Sequence, residues 1–466
     1  MFYIVETEDQ LERLKEYGEY GCFVHIITSN DFYHPALSGL VGVYIRPLYD
    51  DPIINVASGE ITGYVGQGYI IPVCHDEGIN VSKEVVEDLL KSFKTIHVIN
   101  GKNILYQFPK LKTVDLSLKF AMSHYDKLDW EVKSSTYDWF YNRYGDKESL
   151  NQLIPISQIY DRCEKIYNKV KDIILESEPD GFEFYNVEAI RDYFLVEQAG
   201  IQIDSSNFIK IFTPNNEDFS IYRSKVYTNY NMYNVTGRPT NSFNAVNFLA
   251  IPKGEDYRKC FRPSTNNGEF IEYDYDGYHI RLVSEQIGYK LKEDEKAHLQ
   301  LAKLWTGKDT FTDDEYGKLK GLNFQIIYGS IPEEHKNHEF SRKVQSYIDN
   351  LYRTFVEQGR IRDIISHKAF TQELRDMYPQ KLMNYMIQSL ETSRNVVILK
   401  KVLKFLNRGH YKSKIILITY DSFLMDYNPE DGEELVNQIK NIMEGRDKKD
   451  TIHYPVKIHR SKNLNF

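Results

Sequence analysis

An α/β domain followed by a larger α+β half is predicted from three observations. Short apolar runs separated by turns fill the first hundred residues. A mainly helical pattern occupies residues 293–406. Two strand patterns in the second half each carry an aspartate at or near their end, Asp274 and Asp421, with helices between them.

The elements follow in order. The runs CFVHII, LVGVYI and GYIIPV read as strands, VSKEVVEDLLKSF as an amphipathic helix, and TIHVIN as a further strand. That mixture within one segment is the pattern of an α/β domain. A helical pattern runs from about Ser157 to Ala199 and ends at the turn-like AGIQID, and PNNED at 214–218 reads as a loop. From residue 268 a turn, the strand FIEYDY and the helix YHIRLVSEQIG follow. After the helical stretch come the strand pair KIILITYD and SFLMDY, an acidic turn, the helix LVNQIKNIM and a last strand, YPVKIHR. No internal repeat or low-complexity tract interrupts the chain.

Composition narrows the function classes. A chain of 466 residues has room for two to four domains, and 41% hydrophobic residues are enough for a sizeable core. No apolar run is long enough to span a bilayer, and the opening MFYIVETEDQ lacks the basic-then-apolar pattern of a secretory signal. The four cysteines, Cys22, Cys74, Cys163 and Cys260, are scattered without a CxxC pair, which argues against a zinc site or disulfide framework and fits a reducing cytoplasm. A net charge of −9 sits awkwardly with nucleic-acid binding, which needs local positive charge. Two clusters supply some: Lys400 to Lys414 (KKVLKFLNRGHYKSK) and Lys457 to Lys462 (KIHRSK). Each reads equally well as a solvated face.

Two strand-end aspartates are the minimum for phosphoryl transfer assisted by divalent cations, because that chemistry needs alignment and positive charge more than covalent help. Strand-end aspartates are more often turn formers. Between them, Lys320, Phe324 and Tyr328 are spaced i, i+4, i+8 and share a helical face, with Gly329 ending or bending the run. If Lys320 opens its helix, the N-terminal dipole beside it favours phosphate. The aromatic pair offers a stacking surface for a base or sugar. The plainer reading of that spacing is a core stripe with one surface lysine.

The motifs themselves resemble those of family A DNA polymerases. Lys320-Gly-Leu-Asn-Phe324-Gln-Ile-Ile-Tyr328-Gly329 is similar to motif B of that family, and Asp274-Tyr-Asp-Gly-Tyr-His-Ile-Arg281 resembles motif A. Ile418-Thr-Tyr-Asp421-Ser422 resembles motif C. Thr236-Gly237-Arg238 with Ile251-Pro252 resembles the stretch that grips the primer–template, Arg258 through Pro263 the arginine-rich segment before motif A, and Asn384 and Gln388 the helix on the template and primer side. Six blocks in the family's order cover roughly residues 230–466.

The resemblance implies a right-hand polymerase with palm, fingers and a reduced thumb, behind an RNase H-like domain of the 3′–5′ exonuclease type. It implies that Asp274 and Asp421 bind two magnesium ions, for which manganese can substitute. Lys320 would hold the triphosphate and serve as a proton donor to the leaving pyrophosphate. Phe324, Tyr328, Tyr278 and His279 would line the nucleotide site. Arg238, Thr236, Asn384, Gln388 and Arg281 would position primer–template DNA. The implied partners are primer–template, dNTPs and a processivity factor or other replisome protein, with no membrane association.

Departures accompany the likeness. Tyr316 stands where the family carries a second triphosphate-binding arginine, with Lys318 off the relevant face; Tyr420 and Ser422 replace the His and Glu of motif C; and His279 replaces the motif A glutamate that excludes ribose. In residues 19–118 the exonuclease pattern is recognisable, but His25-Ile26-Ile27 stands for Asp-x-Glu, Ile104 for the second-motif aspartate after Asn100-Gly-Lys102, and Glu164 for the third-motif aspartate four after Tyr160. Isoleucine cannot ligate a metal, so this domain is expected to be inactive. Only residues 205–235 separate the turn ending at Asp204 from Thr236, where the family has a long helical thumb.

The expected division is 1–172 (degenerate exonuclease-like domain), 173–235 (reduced thumb), 236–292 (palm with motif A), 293–400 (fingers with motif B and connecting helices) and 401–466 (palm with motif C). The expected activity is template-directed DNA synthesis in replication without proofreading. The alternative is a weak or inactive polymerase-like factor that binds primer–template and other proteins. The short length, altered motifs and degenerate exonuclease pattern suggest a virus, of the phage kind, and then a host-cytoplasm location.

Overall fold

The computed structural model describes residues 3–29, 34–48, 52–54, 61–64, 66–124, 150–212, 221–241, 246–248, 251, 255–374, 376–446 and 453–466. The loop expected at 214–218 and Pro252 lie outside the described residues. Two compact units emerge: Met1–Gln198 with Thr213–Tyr233 and Thr240–Asn247, and Ala199–Phe212 with Asn234–Pro239 and Phe248–Phe466.

The first unit is built on a mixed sheet of β1 (Gly21–Thr28), β2 (Leu40–Leu48), β3 (Tyr69–Pro72), β4 (Thr95–Val98) and β5 (Val114–Asp115), in the order β3-β2-β1-β4-β5. β1 runs antiparallel to β2, which runs antiparallel to β3; β4 is parallel to β1, and β5 to β4. The parallel pairs require crossovers, and α1 (Lys83–Ser92) supplies one before β4. Ser82 caps α1 by accepting the Val85 N–H, and Val86, Leu89 and Leu90 pack with Cys22, Val24, Val43 and Ile45 in a buried core. Next come α2 (Gly101–Gln107) and α3 (Ile156–Leu175).

The helical stretch expected from Ser157 to Ala199 is not continuous. α3 ends at Leu175, Pro179 and Gly181 (φ +80°) interrupt the chain, and helix resumes through a π turn over Phe184–Ala189 into α4 (Ile190–Ala199). Proline disfavours helix in the residue before it and lacks the N–H that the ladder needs. The boundary expected after residue 172 falls inside α3. The segment expected as thumb is divided, with 173–198 and 213–233 in the first unit and 199–212 in the second.

The second unit carries a four-stranded antiparallel sheet of β6 (Glu269–Tyr275), β7 (Lys414–Thr419), β8 (Ser422–Tyr427) and β9 (Val456–Ser461), in the order β7-β8-β6-β9. The two strands read as carrying the aspartates are neighbours in space. α5 (Tyr278–Gln286) leaves β6 through Gly277, at φ +57°; a Cβ there would lie 2.8 Å from the Ala297 side chain, so only glycine fits the turn. α6 (Ala297–Thr306), α7 (Asp313–Ile327), α8 (Glu339–Gln358) and α9 (Pro379–Arg408) form the helical region, around a core that includes Ile280, Val283, Leu301, Ile326, Phe340, Ile348 and Met383. α10 (Glu433–Glu444) precedes β9. No helix among the described residues is long and apolar enough to cross a membrane.

Candidate active site

Asp274 lies on β6 directly opposite Ser422 on β8 and Lys457 on β9. Asp421 sits in the two-residue connection between β7 and β8, whose ends Thr419 and Ser422 face each other. The Tyr275 N–H donates to the Asp421 carbonyl at 3.1 Å, bringing both aspartates to one end of the sheet. Burial, then the charge of Asp421, pushes the Asp274 pKa up to about 7. Asp421 is raised as well, by desolvation and then by Glu391. Two carboxylates crowded so that each resists ionisation suit a divalent cation. Among the described residues no group of three or more His, Cys, Asp or Glu side chains is arranged to hold a metal ion. A carboxylate pair is the donor set of a cation that completes its shell with substrate phosphates and water.

The connection carrying Asp421 is strained and held. Tyr420 has φ +51°, unfavourable for a bulky residue. Its carbonyl accepts the Asn395 amide at 2.5 Å, and its ring lies under the Arg238 guanidinium at 3.6 Å. Around Asp274 the sequence concealed two further carboxylates. Glu272, two residues earlier and therefore on the same face of β6, accepts the Ser422 hydroxyl at 3.3 Å. Asp276 is buried and takes the Ala297 N–H at 2.7 Å, Arg281 at 3.1 Å and Lys457 at 2.6 Å. Burial works against its charge, but these partners outweigh it and hold its pKa below the ordinary carboxylate value. The tail read as a basic cluster is largely engaged: besides Lys457, Arg460 pairs with Glu269 and Glu433, and Lys462 donates to the Gly268 carbonyl at 2.7 Å.

Lys320 does not open its helix. Thr312 and Glu315 form a reciprocal capping box, so α7 begins two turns earlier and Lys320 is its eighth residue, beyond the reach of the terminal dipole. The shared face is nevertheless present: Lys320 is exposed, its ammonium 5.0 Å from the Tyr316 ring, and Phe324 and Tyr328 stack at 6.5 Å with 13° between their planes. Phe324 is 43% exposed, which fits a ligand surface better than a core stripe. Gly329 (φ +86°) terminates the run. Lys318 pairs with Asp314 at 2.6 Å on the exposed side. His279 presents Nδ1 to the Tyr328 hydroxyl at 2.5 Å, joining α5 to the end of α7.

Three residues expected at the ligand face turn inward. Tyr278 is buried, stacked on Tyr275 at 4.2 Å, and donates to Asn395 at 2.9 Å, because the first residue of α5 packs against the sheet. Arg281 is 5% exposed and donates to the Asp276 carbonyl and carboxylate and to the carbonyls of Lys292 and Glu295, which leaves it a brace and not a DNA contact. Thr236 is buried beside the turn at Gly237 (φ +70°). Arg238 remains partly accessible, and Gln388 donates to Asn384 at 2.8 Å on α9. Three residues beyond Gln388, on the same side of α9, is Glu391, buried against Arg238 and His279. Its spacing of i+7 from Asn384 was the available signal in the sequence.

In the first unit His25, Ile27 and Ile104 are buried. Glu164 accepts from the Tyr44 hydroxyl at 2.6 Å and the Gly68 N–H at 3.1 Å and pairs with Arg46. Lys102 is buried against Glu197 at 2.5 Å. These groups satisfy one another inside the unit.

No protein-family model matches the chain. It is similar to the DNA polymerase I of Caldicellulosiruptor bescii, 24% identical over 222 residues, covering 41% of this chain and 26% of that protein. It is likewise similar to the DNA polymerase I of Synechocystis sp., 24% identical over 292 residues, covering 51% and 29%. The matches thus span less than a third of each curated relative. The fold is that of the polymerase domain of Pol1 from M. smegmatis, solved with DNA primer–template and dNTP: TM-score 0.70, 11% identity, covering 100% of this chain and 99% of that one.

Proposed function

We propose that this chain, a family A relative of DNA polymerase I by sequence and by fold, is a template-directed DNA polymerase that extends a primer 3′ end with dNTPs. The observation that carries the reading is the convergence of Asp274 and Asp421 at one end of the β6–β8 pair, with His279, whose charge acts on Asp421, bonded to Tyr328 at the end of the helical face that carries Lys320 and Phe324.

Asp274 and Asp421 would hold two magnesium ions, which when bound supply the positive charge that activates the primer hydroxyl and neutralises the triphosphate. The chain's own groups do the rest. Lys320 meets the triphosphate and donates a proton to the departing pyrophosphate. Phe324 and Tyr328 offer stacked rings to the incoming nucleotide. His279, bonded to Tyr328, closes the space beside the sugar. Arg238, with Asn384 and Gln388 behind it, positions the duplex. The exonuclease-like reading of the first unit rests on its strand order and the family's pattern. Ile27 and Ile104 at expected ligand positions, and Glu164 already engaged by Arg46 and Tyr44, support the absence of proofreading. The brief connection between Asp204 and Thr236 supports a reduced thumb and dependence on a processivity partner.

Primer extension with magnesium and dNTPs tests the reading. The native chain is expected to extend a primer, and Asp421→Ala to lose the activity while still folding. Absence of synthesis by the native chain at any metal or salt concentration favours the second reading, a primer–template-binding factor without activity, for which Ser422 and Tyr316 at family-altered positions speak. A mismatched 3′ end without dNTPs should release no mononucleotide.

A further inference from the structure

The side-chain cluster around Glu391 joins four parts of the second unit that the proposed reaction treats separately. Glu391 is 2% exposed. Its Oε2 lies 2.9 Å from Arg238 Nε and its Oε1 3.0 Å from His279 Nε2. Arg238 Nη2 donates to Oε1 at 3.4 Å. The far nitrogen of His279 meets the Tyr328 hydroxyl at 2.5 Å, and the far face of Arg238 covers the Tyr420 ring. One buried carboxylate therefore sits between the Thr236–Arg238 segment, the start of α5, the end of α7 and the connection carrying Asp421.

We infer that Glu391 is a positioning residue that anchors both the nucleotide-sugar selection at His279 and Tyr328 and the primer–template grip at Arg238. This rests on the polymerase reading above. The argument is one of charge placement. A glutamate at position 279 would bring a carboxylate to Tyr328 directly; here an imidazole occupies that position, and the carboxylate stands behind it on α9. His279 stands between the two, Nε2 3.0 Å from Glu391 and Nδ1 2.5 Å from the Tyr328 hydroxyl, so the orientation set by Glu391 reaches Tyr328 through the ring. The same carboxylate fixes the guanidinium of Arg238, so neither arm is anchored independently.

The cluster is paired in charge but unfinished in geometry. Arg238 Nε, His279 Nε2 and Glu391 Oε2 are buried and lack an aligned hydrogen bond. A buried, partly satisfied network is costly, and small rotations of its members complete it.

Steady-state primer extension by the full chain, with dNTPs and with rNTPs, tests this alongside primer–template binding. Glu391→Gln keeps the shape and removes the charge. It is expected to lower the dNTP-over-rNTP preference in kcat/KM by about tenfold, the equivalent of one charge-assisted hydrogen bond, and to weaken primer–template binding several-fold. Tyr328→Phe, which cuts only the far arm, is expected to lower sugar preference and leave primer–template affinity unchanged. The double variant Glu391→Gln with His279→Glu returns a carboxylate to the Tyr328 side and is expected to recover sugar preference but not primer grip. Thermal unfolding confirms that each variant is folded, and Tyr328→Phe keeps the test open should Glu391→Gln not fold. Unchanged preference and affinity in folded Glu391→Gln overturn this inference alone, as does a loss of primer grip in Tyr328→Phe. A native chain that cannot extend a primer overturns the polymerase reading and this inference with it.

Discussion

The Tyr275 N–H donates to the Asp421 carbonyl at 3.1 Å, so the strand end bearing Asp274 is latched by backbone to the connection bearing Asp421. Substituting either aspartate's side chain leaves this latch intact. Loss of activity in such variants can therefore be separated from loss of fold.

Lys320 projects from the middle of α7 without an ion pair among the described contacts, its ammonium 5.0 Å from the Tyr316 ring and its charge acting on His298. Lys320→Ala is expected to raise KM for dNTPs roughly tenfold or more, the scale of one charge-assisted contact to phosphate. Its primer–template affinity and thermal stability should match those of the native chain. Initial-rate measurements over a dNTP series check this.

Arg281 braces the turn after β6 through Asp276, Lys292 and Glu295. Arg281→Met leaves the buried Asp276 with less compensation and is expected to cost about 3–5 kcal/mol, the range for breaking a buried pair. Urea denaturation measures the loss. The slope of DNA affinity against salt should not change, since no phosphate contact is removed.

Tyr278 and His279 are adjacent in sequence but differ in role. Tyr278→Phe removes a buried hydrogen bond to Asn395 and is expected to cost about 1 kcal/mol of stability. It should leave the choice between dNTP and rNTP unaltered. Competition assays with paired dNTP and rNTP substrates separate it from His279→Ala, which should admit ribonucleotides more readily.

Lys368, in the segment joining α8 to α9, is buried and donates to the Asn234 carbonyl at 3.3 Å, and burial pushes its pKa down to about 7 despite the nearby charge of Asp363. In the unfolded chain the amine titrates near its ordinary value of about 10.5. Between those pH values the unfolded chain holds a proton that the folded chain has released, so this group makes stability rise with pH across that window. Lys368→Met is expected to be the more stable protein at pH 7 by roughly 1–4 kcal/mol. The gap should narrow as pH approaches 10. Denaturation at several pH values checks both the sign and the window.

The strands of the second unit were legible because their apolar runs are bounded by clear turn residues, and Asp274 and Asp421 because they stand at strand ends. The start of α7 was also written in the sequence, as Thr312-x-x-Glu315, a capping box that puts Lys320 in mid-helix and not at its start. The inward turn of Tyr278, Arg281 and Thr236 was not legible for a different reason: whether a side chain at a motif position faces outward or the interior depends on packing from distant segments. Lys457 reaches Asp276 from 181 residues away in sequence, and no local pattern encodes that. Glu391 was within reach of helical spacing, but its partners Arg238 and His279 were not.

The two-residue link between β7 and β8 acts as a ruler. Side chains alternate between faces along each strand, so inserting or deleting one residue there would turn Ser422 and everything after it to the opposite side. Chemical identity can drift at this tip while count cannot. Tyr420 and Ser422 can change in kind while Asp421 stays at the same step. Length, more than composition, is the constrained quantity at this corner of the molecule, and random indels within residues 414–427 should be purged far more strongly than substitutions at Tyr420 or Ser422.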